Sequence, residues 1–94
     1  MTPREFAERH GAYVVAGNMA AVVGDMTPEA LAGMQAAPVA MPRPVTSYEV
    51  MTQRASGNQE IFEIKYSGAE SAATVRSYWE DQAGTWKIVK AEGA

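Results

Sequence analysis

"VRSYWEDQAGTWKIVKAE", residues 75–92, places one tryptophan just before a polar turn and another just after it. Val75, Ser77 and Trp79 alternate with Arg76 and Tyr78, and beyond the turn Trp86 and Ile88 alternate with Lys87 and Val89. A period of two on both sides of "DQAG" predicts an antiparallel hairpin with one buried face. A loop over 81–84 sets Trp79 against Trp86, an aromatic cross-strand pair on the core side.

The same period runs upstream. Tyr48, Val50 and Thr52 alternate with Glu49, Met51 and Gln53, and Phe62, Ile64 and Tyr66 alternate with Ile61, Glu63 and Lys65. "ASGNQ" and "GAES" are turn material. Strands are therefore expected over about 45–54, 60–67, 72–80 and 85–91, a four-stranded antiparallel meander. Side-chain chemistry suggests the register, because a one-residue slip would exchange the faces. A two-residue turn at Gly57-Asn58 would set Val50 opposite Lys65 and Thr52 opposite Glu63. A longer loop centred on Gly57 pairs Tyr48 with Tyr66, Val50 with Ile64 and Glu49 with Lys65, and is preferred. A loop over 68–71 then places Ile64 by Val75, Glu63 by Arg76 and Ile61 by Tyr78.

Before Val45 the period is near four. Thr2-Pro3-Arg4-Glu5 combines a capping threonine, a first-turn proline and a capping-box glutamate. Phe6, His10, Tyr13, Val14, Gly17 and Ala21 share one face of a helix over about 3–24. Val15, Met19, Val22 and Val23 make the opposite face apolar too, so its second half is expected to be buried all round. Gly11 and Gly17 each cost about 1 kcal/mol relative to alanine, so close packing is expected to compensate. Thr27-Pro28-Glu29 starts a second helix over about 28–36, and the three prolines of "AAPVAMPRPV" make 37–44 a crossing loop or an edge piece. The whole is one α+β domain over 1–94.

Composition narrows the function. A net charge of −3 with scattered basic residues argues against nucleic acid. Without cysteine there is no thiol chemistry, and one histidine, His10, without a carboxylate cluster gives no metal site; no cofactor is expected. The amino-terminal segment does not read as a secretory signal, and "HGAYVVAGNMAAVVG" is too short to cross a bilayer. A cytoplasmic protein with no membrane contact is expected.

Gly24-Asp25 after the first helix, Trp79-Glu80, and Gly84-Thr85-Trp86-Lys87-Ile88-Val89 together resemble the nuclear transport factor two-like superfamily. These are cystatin-like α+β rolls that include ketosteroid isomerases, scytalone dehydratases and polyketide cyclases. The segment between the second helix and the sheet, which often supplies catalytic carboxylates in that family, is reduced here to 37–44. The resemblance implies a curved sheet and a first helix enclosing an apolar cavity. Its expected ligand-binding residues are Tyr13, Asn18, Tyr48, Phe62, Ile64, Tyr66, Ser77, Trp79 and Trp86.

No inward strand position is acidic, and Asp25 and Asp81 are explained by a helix boundary and a turn. His10 and Tyr13, one helical turn apart, are the only candidates for a base and a hydrogen-bond donor. On the outer face Met51, Ile61, Tyr78 and Val89 interrupt a charged surface, and rolls of this superfamily frequently dimerise there. The leading expectation is a non-catalytic small-molecule-binding or interaction module that forms a homodimer. The rivals are an isomerase, cyclase or dehydratase acting on a hydrophobic ring compound, and a structural accessory domain of a larger protein.

Overall fold

Thr2 begins the first helix in the manner its spacing to Glu5 predicts. Its hydroxyl accepts from the Glu5 amide at 3.2 Å, and Glu5 Oε1 accepts from the Thr2 amide at 2.9 Å. In the computed structural model, which describes residues 1–94, this opens α1 (Pro3–Ala16). Helix α1 then stops earlier than its periodicity implies. Gly17 takes a left-handed conformation at φ 70°, and its amide donates to the carbonyls of Tyr13 and Val14. Asn18 starts a separate six-residue helix, α2 (Met19–Gly24), by accepting from the Ala21 amide at 3.3 Å. The continuous helix expected over 3–24 is thus two helices, because a glycine C-cap is followed at once by an asparagine N-cap. Nor is the second half buried all round: α2 has no buried residue, and Met19 and Val23 are 61% and 41% exposed.

Thr27 caps α3 (Pro28–Ala36) through the Ala30 amide, as expected. The strands are β1 (Ser47–Ser56), β2 (Gln59–Ser67), β3 (Ala72–Gln82) and β4 (Thr85–Gly93), paired antiparallel in the order β1-β2-β3-β4. The sheet is open, and with the three helices it makes an α+β fold. The Asp25 carbonyl and the Thr27 amide hydrogen-bond to the backbone of Ile88, which covers part of the free edge of β4.

Register follows side-chain chemistry closely for β1–β3. Tyr48 faces Tyr66, Val50 faces Ile64, Glu63 faces Arg76, and Ile61 faces Tyr78. The first turn is nevertheless the two-residue Gly57-Asn58 loop, with Gly57 at φ 61°. A bulge between Val50 and Thr52 reconciles the two: Met51 is the additional residue, so Val50 meets Ile64 while Thr52 meets Glu63. The last hairpin departs further from expectation. Its turn is also two residues, Ala83-Gly84, both at positive φ, and a second bulge lies between Tyr78 and Trp79. Trp79 therefore pairs with Ile88, and Trp86 pairs with Asp81. The expected Trp79–Trp86 pair is replaced by a diagonal relation on one face.

The core joins Phe6 and Ala7 of α1 and Ala30 of α3 to Phe62, Ile64, Tyr66, Trp79 and Ile88 of the sheet. Each large side chain there contributes about 1.5–3 kcal/mol by leaving water. Gly11 matters at the contact of α1 with β1. A Cβ on it would lie 2.5 Å from Tyr48 Cδ2, so the ring of Tyr48 occupies the place of a side chain. Close approach explains Gly11, whereas Gly17 serves the helix end.

Candidate functional site

Between the helices and the sheet lies a pocket of about 390 Å³. Its floor is the inward face of β2, β3 and β4, with Ile64, Tyr66, Val75, Ser77 and Ile88. The walls come from α1, α2 and α3, and a strap over 41–45 closes one side. Twelve of the sixteen lining residues are apolar, so an occupant would be held mainly by its apolar surface. Four are the methionines Met19, Met26, Met34 and Met41. Their flexible, polarizable side chains let a wall adapt to different shapes.

The polar part of the pocket begins at His10, which α1 carries on its buried face. His10 Nδ1 lies 2.9 Å from Asp25 Oδ2, and both side chains are about nine-tenths buried. A carboxylate at Asp25 can only accept, so it fixes the imidazole proton on Nδ1. The ring also stands edge-on to Trp79, with centroids 5.7 Å apart. Trp79 Nε1 donates to Ser77 Oγ at 2.9 Å, and Ser77 Oγ donates in turn toward the Phe62 carbonyl at 3.4 Å. Asp25, His10, Trp79 and Ser77 thus form one connected arrangement from the α2–α3 junction to the sheet. Nε2 of His10 makes no hydrogen bond within the chain, yet no buried polar atom is sealed away unsatisfied. This nitrogen therefore keeps some accessible surface, on a residue that lines the pocket. It can accept a proton or hydrogen bond when neutral and donate one when protonated.

Tyr66 supplies a second free polar group. It is 3% exposed, lines the pocket, and its hydroxyl has no partner among the side-chain hydrogen bonds. Burial, reinforced by Tyr48, pushes its phenol far above the ordinary tyrosine range. It therefore stays protonated and can donate to a ligand oxygen at any physiological pH.

Of the residues expected to bind ligand, Ile64, Tyr66 and Ser77 line the pocket, and so does His10. Phe62 and Trp79 lie beneath it in the core, Tyr48 packs on Gly11, and Trp86 packs at the margin of the core. Asn18, also expected to bind ligand, is exposed, caps α2 and does not line the pocket. Tyr13 does not line the pocket; its ring lies 5.7 Å from the Arg9 guanidinium. His10 finds its partner in Asp25 instead, a residue that its place at a helix boundary had seemed to explain fully. Asp81 does act in its turn, accepting from the Gly84 amide at 2.7 Å. The four methionines and Arg43 were missed. The spacing of Met19, Met26, Met34 and Met41, seven or eight residues apart in a segment without basic residues, was the available signal.

On the outer face Met51 is 50% exposed, but Ile61 is only 4% exposed within the single chain, flanked in register by Arg54 and Tyr78. The expectation that Ile61 stands in water is corrected accordingly. Tyr78 donates its hydroxyl to Glu92 at 2.8 Å, and Arg76 bridges Glu63 and Glu92 at 2.8 and 3.1 Å. Val89, the additional residue of the second bulge, lines a small cleft against α3 with Glu29, Ala30 and Gly33. It does not join Ile61 and Tyr78.

No helix is long and apolar enough to cross a membrane, and no three metal-ligating side chains converge. Compared with protein-family models, curated proteins and solved structures, the chain matches none.

Proposed function

We propose that this chain is a small-molecule-binding module of the nuclear transport factor two-like type, holding an apolar ligand between its helices and its sheet. The observation that carries the reading is the pocket of about 390 Å³ with its twelve apolar lining residues. A 94-residue chain has little stability to spare and gains most by filling its interior. An unfilled apolar space of ligand size is costly in such a chain unless something occupies it. Tyr66 and His10 give that space a small number of polar groups, the usual composition of a ligand site.

Titration with a neutral hydrophobic dye tests this. Dye emission should rise on binding, and the methionine methyl resonances of the pocket should shift. Val75→Phe, which fills the floor, should weaken binding at least tenfold while the chain stays folded. Absence of binding, or undiminished binding by Val75→Phe, overturns the reading.

The His10–Asp25 contact favours a second reading, an isomerase, cyclase or dehydratase acting on a hydrophobic ring compound. His10 Nε2 would then take a proton from substrate, with Asp25 holding the imidazole in the required tautomer. Proton-exchange assays on cyclic ketones decide it: turnover that His10→Ala abolishes supports the enzyme, and no turnover across a panel removes it.

A further inference from the structure

The strap over 41–45 brings a single cation to an otherwise uncharged lining. Among the lining residues only His10, Tyr66 and Arg43 carry ionisable groups, and none is a carboxylate. Asp25 lies behind His10 and is taken up by it. In a chain of net charge −3 the pocket is thus locally free of negative charge.

Arg43 itself makes no ion pair or side-chain hydrogen bond, whereas Arg4 and Arg76 are paired with glutamates. Arg54 and Lys65 are unpaired as well, but neither lines a pocket. The backbone around Arg43 is held firmly. Pro42 is buried, and a Cβ at Gly68 would lie 2.7 Å from Pro42 Cβ and 2.8 Å from the Pro44 carbonyl. Thr46 donates both its amide and its hydroxyl to the Ser67 carbonyl, at 2.8 and 3.1 Å. Two prolines and the β2–β3 turn therefore fix the strap, and Arg43, exposed and unpaired, lines the pocket from it. Its planar fork matches a carboxylate bidentately.

We propose that the pocket takes an amphipathic monocarboxylate, with its apolar body among the methionines and its carboxylate on Arg43. The proposal rests on the ligand-binding reading above and adds the head group to it. Flexible methionine walls suit a chain-like apolar body better than a rigid one. The absence of lining carboxylates removes the repulsion that an anion would otherwise meet.

Decanoate, decan-1-ol and decyltrimethylammonium, titrated below their aggregation concentrations, test it through the methionine methyl resonances. Decanoate should bind about fivefold to tenfold more tightly than decanol, and the ammonium compound more weakly than either. Added salt should reduce the advantage of decanoate, since Arg43 is exposed. Arg43→Gln should bring decanoate to the level of decanol and leave decanol unchanged, while Arg54→Gln should alter neither. Equal binding of decanoate and decanol, or a preference that survives Arg43→Gln, overturns the head-group assignment alone. Failure of all three compounds to bind overturns the pocket reading with it.

Discussion

Strand β2 and helix α2 are both rich in apolar residues, and the fold treats them oppositely. Strand β2 buries Ile61, Phe62, Ile64 and Tyr66, the last three in the core. Helix α2, "MAAVVG", buries nothing and packs chiefly on α1. Apolarity alone therefore does not decide burial; a partner surface does. Strand β2 has neighbours on both sides and helices above it, whereas α2 is set off from α1 by Gly17 and reaches over the pocket. Stability should be uneven in the same way, high across β2–β3 and low in α2.

The sharpest way to break that comparison is at Trp79, which is fully buried and touches His10, Ser77 and Phe62. Trp79→Ala should cost about 3–5 kcal/mol, a large share of the stability of a domain this size. Urea unfolding followed by far-ultraviolet circular dichroism measures it. A loss below about 1 kcal/mol would show that the sheet side is no more rigid than α2.

Next in size is the link between the two regions. His10→Ala leaves the Asp25 carboxylate buried without its partner and should cost about 3 kcal/mol. Asp25→Asn keeps an acceptor for Nδ1 and should cost less, about 1–2 kcal/mol. If the double substitution costs no more than His10→Ala alone, the two residues act as one unit. Additive losses would mean that each is held by something else.

Much of this fold was legible in the sequence, and the misses of strand register share a cause. The pairing of β2 with β3 could be read because Glu63–Arg76 and Ile64–Val75 agree on both faces. Bulges could not be read, since one additional residue in a strand leaves alternation intact on each side of it. That is why Trp79 met Ile88 and why the Gly57-Asn58 turn proved compatible with the preferred pairing. The site was half visible. His10 stood out as the lone histidine, but Asp25 is fifteen residues away and already had a local explanation at its helix end. Only the fold of α2 back over α1 brings them together.

A smaller effect is expected at Tyr66. Its phenol is raised above the unfolded value, so the folded chain binds that proton more tightly. Stability from this source is complete below the unfolded pKa of about 10 and falls as the pH rises beyond it. Tyr66→Phe should be nearly neutral at pH 7, because the hydroxyl has no partner to lose, and should flatten the alkaline decline. Ultraviolet titration should find Tyr66 ionising well above the ordinary tyrosine range. Ionisation near pH 10 would show that its hydroxyl is open to bulk water rather than to an apolar pocket.

The smallest effect is expected in α2 itself. Val23 is 41% exposed, so Val23→Ala removes methyl groups that are largely in water already. Alanine is also the better helix former, by about half a kcal/mol, which offsets the burial that is lost. The urea midpoint should therefore move by no more than the equivalent of about 0.5 kcal/mol. Amide hydrogens of α2 should exchange faster than those of β2 and β3, and a bound ligand touching Met19 and Val22 should slow them. A loss above 1 kcal/mol would mean that Val23 is covered in solution by something the single chain does not contain. Sedimentation at high micromolar concentration would then show whether that cover is a second copy.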